Sequence, residues 1–424
     1  MIDAPPPDVP NVRGTVKVIV TNASVAQCNV AQLHVVFIDV DQTTTDLIAD
    51  ASGKAQADVF PGASVTAVCE RSTGTDIAVT VQDVEPGDDI TLDGSYFFTG
   101  TRTADTTAAG TFKISFSPAP GATNYTIYDP CGNVVPSGNT NVSLAMKAGC
   151  LQQTMDLVVV AGTSSGPTQW TEAANVPFTN NGSVTVTDTW HPFAQVTANY
   201  TGVPAFCAAT ADPDYPCNAQ LARYVPELHG NRAMTSAGVT GAGSLMVTSP
   251  TSSSAIMQTQ LTTNGPEYQI LTDVVDGSQA TYAVDFATEA LPWMCRDTAQ
   301  CPMFSGSAAK LTIPVTGTGT YDLFETDATY SRGPQFTQIF IWRVFGPTAG
   351  DVTFPTLPAS VSVMNPQGVD RQSVTHSRIC ESDVLNGWRD ARQNPFDSLA
   401  TCTQSTNPTA PRYGGTHDRL SASQ

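Results

Sequence analysis

The sequence predicts an all-β protein: tandem β-sandwich domains with a short disulfide-flanked helical segment near the C-terminus. Three observations predict it. Short runs rich in β-branched and aromatic residues recur about every ten residues, separated by Gly, Pro, Asp and Ser turns. Only 13% of the 424 residues are charged, so the surface is built from Thr, Ser, Asn, Gln and Gly, which suit exposed sheet faces better than exposed helices. Ten cysteines fall into five couples close in sequence: Cys28 with Cys69, Cys131 with Cys150, Cys207 with Cys217, Cys295 with Cys301, and Cys380 with Cys402. That spacing suits local disulfide staples in an oxidising compartment. The chain has no Cys-x-x-Cys, the spacing a zinc site would use. Sequence leaves the pairing open, and nearest-neighbour pairing is an expectation from loop closure alone.

Residues 1–13, with Pro5-Pro6-Pro7-Asp8, read as a flexible Pro/Asp-rich tether, because such segments stay extended. The expectation is an export signal, and a lipid anchor with it, removed ahead of Met1. A first sandwich is expected over 14–95. Gly14 to Thr21 (GTVKVIVT) alternates Val16, Val18 and Val20 on one face. Leu33 to Val40 is nearly continuous apolar, as in a strand covered on both sides. Ala55 to Phe60, Ser64 to Val68, Ile77 to Val81 and Ile90 to Leu92 follow, divided by Asp50-Ala51-Ser52-Gly53, Pro61-Gly62 and Glu85-Pro86-Gly87-Asp88.

A second sandwich is expected over 96–189, with strands at Thr111 to Ser117, Asn124 to Tyr128, Met155 to Val160 and Ser183 to Thr187. A third, larger sandwich or jelly-roll-like domain is expected over 190–370, where the long apolar run Gln335 to Phe345 (QFTQIFIWRVF) reads as a central strand. The remainder, 371–424, reads as a stapled helix and a disordered tail. Its helix is expected over Glu381 to Gln393, where Val384, Trp388 and Ala391 form one apolar stripe.

The run Val36 to Val68, with its acidic turn, its Asp-x-x-Gly-Lys hairpin and its Pro-Gly-x-x-Val-Thr closing strand, resembles the carboxypeptidase-regulatory-like (prealbumin-like) sandwich. SFSPAPGATNYTIY, ending at Tyr128, resembles the front of a fibronectin type III domain. Together with Ile2 to Asp8, and with Trp342 followed by Phe354-Pro355-Thr356-Leu357-Pro358, the order is similar to that of secreted cell-envelope lipoproteins of myxobacterial type. The resemblance implies a fold and an address on the outer cell surface. It implies no chemistry, because fold does not fix function.

The formal charge is 19 − 38 = −19, which opposes nucleic acid and anionic membrane surfaces as partners. No apolar run is long enough for a transmembrane helix. Gly-x-Ser-x-Gly, His-Glu-x-x-His and phosphate-binding glycine loops are all missing from the sequence, so no motif names a reaction and no catalytic residue is selected. Calcium is the one cofactor with candidate ligands, because clustered carboxylates suit a hard cation. The candidates are Asp39, Asp41 and Asp46, the group Asp83, Glu85, Asp88 and Asp89, and Asp212 with Asp214 between Cys207 and Cys217. Trp293, beside Cys295, and Trp170 are candidate flat platforms for a saccharide.

The reading that follows is a non-enzymatic extracellular or cell-surface protein, a structural or adhesive module for a protein or polysaccharide. Two alternatives stand beside it: a secreted hydrolase or its accessory subunit with a site in 190–370, and a calcium-dependent adhesin.

Overall fold

The computed structural model describes residues 12–22, 28, 32–70, 75–94, 107–129, 134–148, 151, 154–207, 217–224, 232–250, 254–263, 267–294, 302–304, 309–317, 319–403 and 417–423. Strands dominate it. In chain order they are β1 Gly14–Thr21, β2 His34–Ile38, β3 Thr44–Ile48, β4 Lys54–Val59, β5 Ala63–Cys69, β6 Asp76–Val84 and β7 Asp89–Asp93. Then come β8 Ala108–Phe116, β9 Asn124–Tyr128, β10 Val134–Ser137, β11 Asn141–Lys147, β12 Thr154–Thr163, β13 Gly166–Pro177 and β14 Gly182–Val186. There follow β15 His191–Thr201, β16 Asn218–Tyr224, β17 Arg232–Gly238, β18 Gly243–Pro250, β19 Ser254–Thr262, β20 Glu267–Asp276 and β21 Thr281–Asp285. Last are β22 Met303–Phe304, β23 Lys310–Thr312, β24 Leu323–Arg332, β25 Gln338–Gly346, β26 Asp351–Thr353, β27 Arg371–Ser382 and β28 His417–Ser423. The helices are one-turn α1 Phe286–Glu289, one-turn α2 Trp388–Ala391 and α3 Pro395–Thr403. The all-β class expected from the sequence is therefore the observed one.

The chain divides into two compact units, and their borders differ from the expected ones. One unit takes its residues from 1–101, 291–400 and 421–424, the other from 102–290 and 401–420. The expected third domain, 190–370, is thus cut at about 290, 371–400 joins the first unit, and within the expected disordered tail 417–423 forms β28. The physical reason is strand pairing. β25 lies parallel to β6, from Phe340 beside Asp76 to Phe345 beside Val81. A strand from late in the chain therefore extends the N-terminal sheet, giving the order β27-β24-β25-β6-β5-β2-β3. A smaller sheet, β4-β1-β7, and a third, β22-β23-β26, complete this unit.

Trp342 fixes that parallel seam. Its side chain is fully buried. Its Nε1 donates to Thr80 Oγ1 at 2.8 Å, and Thr80 Oγ1 lies 2.8 Å from Thr66 Oγ1. The indole thus reaches across β6 to β5 and stands in a core with Phe324, Tyr330, Phe340, Phe354 and Ile379. At the β1 end the alternation Val16, Val18, Val20 is buried as the period-two pattern requires. The hairpin between β3 and β4 turns on Asp50, whose Oδ1 accepts from Ser52 N at 2.8 Å and Lys54 N at 3.0 Å. Gly53 follows at φ 78°, where an added Cβ would lie 2.3 Å from the Val20 carbonyl oxygen; only glycine fits there.

The second unit carries a sandwich between β11-β8-β14 and β10-β9-β12-β13. Its core includes Phe112, Ile114, Ile127, Leu144, Leu157 and Val159. The same unit contains β17-β16-β19-β20, with β18 and β21 flanking β15.

Disulfides join Cys28 to Cys69 and Cys207 to Cys217, and Cys380 to Cys402. These three match the nearest-neighbour expectation. Cys131, Cys150, Cys295 and Cys301 lie outside the described residues. The helix expected over Glu381 to Gln393 is displaced. β27 runs on to Ser382, Val384 is 52% exposed, and Gly387 at φ 73° breaks the backbone before α2. The longer helix, α3, starts at Pro395, a residue suited to the first helical turn. No helix among the described residues is long and apolar enough to cross a membrane.

Residues 388–393 dock on the β6–β7 turn. Buried Arg392 pairs through Nε with Asp88 at 2.8 Å and through Nη2 with Glu85 at 3.3 Å, and its Nη1 donates to the Asp83 carbonyl at 3.0 Å. Gln393 Nε2 donates to Asp88 Oδ1 at 2.7 Å.

Two variants test the seam and the dock by urea unfolding of the whole chain. Trp342→Ala removes a buried indole and should cost about 3–5 kcal/mol. Arg392→Ala leaves Asp88 buried without its cation and should cost about 3–5 kcal/mol. A change below about 0.5 kcal/mol for either, the level of an ordinary surface substitution, would contradict the assigned role.

Candidate functional site

β24 reads LFETDATYSR, and its alternation places Phe324, Ala328 and Tyr330 in the core while Glu325 and Asp327 face the other way. Arg343 of β25 pairs opposite Asp327. From β27, Arg378 pairs opposite Glu325 and His376 opposite Asp327. An irregularity after Asp327 shifts the β24–β27 register, so that Ala328 faces Val374. Thr375 is the extra residue, and the shift keeps both His376 and Ser373 on the side of the acids.

Five ionisable side chains therefore converge. Arg343 Nε donates to Asp327 Oδ1 at 2.5 Å, its Nη2 donates to Asp327 Oδ2, and Nε lies 3.1 Å from Glu325 Oε1. His376 Nε2 lies 2.9 Å from Glu325 Oε1 and 3.5 Å from Asp327 Oδ2. Arg378 Nη1 is 3.9 Å from Glu325 Oε2. Both carboxylates are buried. Burial alone would raise the Glu325 carboxyl, but His376, Arg378 and Arg343 outweigh it and hold the group far below the usual carboxylate range. Burial likewise opposes the charge on Arg343, and Asp327 with Glu325 overrides it, pushing the guanidinium upward.

Among the described residues, Glu325, Asp327 and His376 are the one group of three or more His, Cys, Asp or Glu side chains whose ligand atoms converge, all within 4.8 Å. Their donor types suit a divalent metal. The surroundings do not. Arg343 already occupies both oxygens of Asp327 and one of Glu325, so a dication would have to displace a guanidinium. Two acids facing two arginines are already neutralised. The neighbouring hydroxyls Thr326 and Ser377 bond each other at 2.8 Å on the opposite side of the strands, so neither is presented to His376 as a nucleophile. The arrangement acts as an internal ion-pair network that holds three strands in register.

The sequence did not select these residues. A usable signal was present, however. Arg343 interrupts an apolar strand, and an uncompensated charge there must find buried partners.

Among the described residues, the carboxylates that the sequence selected for calcium form no group of three whose ligand atoms lie together. Asp39 is buried, accepts from Phe60 N at 2.9 Å and pairs with Arg13 at 2.7 Å. Asp41 caps its own turn through Thr43 N at 2.9 Å and Thr43 Oγ1 at 2.6 Å. Asp46 meets His34 Nδ1 at 2.9 Å and accepts from Ser360 Oγ. Of the other group, Asp88 and Glu85 hold Arg392, and Asp89 pairs with Lys17 at 3.3 Å. Asp212 and Asp214 lie outside the described residues. The expectation of exposed tryptophan platforms is corrected. Trp170 is 6% and Trp293 7% exposed. Trp170 packs in a core with Val158, Val160 and Ala255, because a large apolar ring gains most from burial.

No protein-family model matches the chain, and no curated protein matches it. Among solved structures, the chain is similar to the Bacillus anthracis TIE protein at 10% identity and a TM-score of 0.15, over 64% of this chain and 49% of that one. It is similar to the pilus adhesin SpaC from Lactobacillus rhamnosus GG at 9% identity and a TM-score of 0.11, over 82% of this chain and 44% of that one. It is also similar to trypsin-activated alpha-2-macroglobulin from Escherichia coli at 11% identity and a TM-score of 0.11, over 84% of this chain and 27% of that one. The chain thus spans half or less of the length of each. Likeness at TM-scores this low carries no argument about fold or function.

The ion-pair network makes a pH prediction. The folded value of Glu325 is depressed below its ordinary 4.5. Its contribution to stability is therefore fully present above about pH 4.5 and is lost as pH falls toward the folded value. Chemical denaturation at stepped pH should show wild type losing stability below pH 4.5 more steeply than Glu325→Gln. Identical slopes would contradict the assignment. Arg343→Ala should cost about 3–5 kcal/mol at neutral pH, because it strands two buried carboxylates.

Proposed function

We propose that the protein is a non-enzymatic extracellular or cell-surface module that binds a protein or polysaccharide partner. One observation carries the reading: an all-β architecture stapled by local disulfides, in which the one convergent group of three or more His, Cys, Asp or Glu side chains among the described residues is engaged in internal pairing. Disulfides persist in oxidising compartments, which supports an extracellular address. A net charge of −19 keeps such a chain soluble and opposes nucleic acid as a partner.

The test is a pull-down with the purified full chain against envelope polysaccharides and surface proteins of its source, with and without calcium. A saturable partner bound without turnover is the expected result. Turnover of a polysaccharide or ester that disappears in His376→Ala, with folding intact, would overturn the reading in favour of a hydrolase.

A further inference from the structure

The three strands that hold the ion-pair network continue beyond it as a face open to solvent. Along β24, Thr329 and Ser331 follow Glu325 and Asp327 on the same side. Ile341 and Ile339 of β25 stand opposite Thr329 and Ser331, and Ser373 and Arg371 of β27 stand opposite the same two residues. Arg371, Ser373, Thr375 and Ile339 are exposed. Thr329 Oγ1 and Thr375 Oγ1 lie 3.0 Å apart, so a row of hydroxyls runs across two strands.

The hairpin tip between β24 and β25 adds an aromatic ring. Gln335 and Phe336 both adopt positive φ, 59° and 55°, a strained backbone choice for non-glycine residues. This conformation leaves Phe336 47% exposed, with the Arg371 guanidinium 5.9 Å from its ring centre.

Charge on this face is layered. Its two acids, Glu325 and Asp327, are buried. Arginines surround them: Arg371 is exposed, and the side chains of Arg378 and Arg343 are 30% and 15% exposed. Arg343 and Arg378 are matched by those two acids, so Arg371 is the exposed cation that this hydroxyl-lined face adds in a chain of net charge −19. At physiological salt the Debye length is about 8 Å, so the local layer rather than the distant net charge decides what docks.

We propose that this face binds an acidic polysaccharide, with Arg371 meeting a sugar carboxylate, the Thr329–Thr375–Ser373 hydroxyls meeting sugar hydroxyls, and Phe336 offering a stacking surface. The inference rests on the binding-module reading and names its ligand class. An acidic protein would satisfy the arginines but not the hydroxyl row, which suits a polyhydroxylated ligand.

The test uses the full chain on immobilised polygalacturonate, with neutral dextran and poly-L-glutamate as parallel surfaces. Wild type should be retained by polygalacturonate, with retention falling as salt is raised, and should pass dextran. Arg371→Glu and Ser373→Asp are exposed substitutions whose thermal melts should overlay wild type. Each should weaken binding about tenfold, the scale of one misplaced charge at an interface. Undiminished binding of both variants would overturn the proposal, as would retention on poly-L-glutamate alone or equal retention on dextran. If an envelope ligand is captured yet Arg371→Glu binds it as wild type does, this face is wrong while the binding-module reading stands. If no polysaccharide or surface protein binds, both fail.

Discussion

The parallel pairing of β6 with β25 is the constraint on which the rest of its unit depends. It joins residues 76–81 to residues 340–345, so the loop closed by that pairing contains the whole of the second unit's 102–290. Such a long closure is entropically unfavourable. Burial of Trp342, and its hydrogen bond into the Thr80–Thr66 hydroxyl pair, offset that cost in a place where neither strand could do so alone. Once β25 is seated, β24 pairs with it and β27 pairs with β24, both antiparallel. Their outer face then exists as a consequence.

The same seating explains the buried charges. β24 carries Glu325 and Asp327 into a sheet whose neighbours supply Arg343, Arg378 and His376. Each strand taken singly would bury uncompensated charge. Only one register of the three matches acid to base, and a slip of one residue would turn every side chain to the opposite face. The network thus specifies alignment as much as it stabilises. Arg392 acts similarly at the other end, where Asp88 and Glu85 of the β6–β7 turn receive a cation from a segment about 300 residues later in the chain. Unpaired, the Glu85–Asp89 turn would be an acidic loop of the kind that sequence reading assigns to calcium.

Local pattern was legible wherever it was strictly periodic. GTVKVIVT and NYTIY coincide with β1 and β9 residue for residue, because alternation and turn chemistry suffice there. Long polar strands were not legible. β13, β16, β19 and β24 carry Thr, Gln, Glu or Asp among their apolar residues, so their strand character comes from partners rather than from their own composition. The domain borders failed for a related reason: nothing in 291–346 states that its partner is 76–81. The helix near the C-terminus was misplaced because a modest apolar stripe was weighed above Gly387, whose positive φ decides the local backbone. No residue of the ion-pair network was selected from the sequence, and Arg343 within its apolar strand was the one signal that could have found it. Glu325, Asp327 and His376 become a group only once β24 and β27 pair.

Native-state hydrogen exchange on the intact chain tests the central claim most directly. If the seam unites the N-terminal strands with the later ones, backbone amides of β6 and β25 belong to one cooperative unit and lose protection together as denaturant is raised. Protection of β6 that persists after β25 has exchanged would contradict the account, because it would show the N-terminal sheet standing without the strand that is held to complete it.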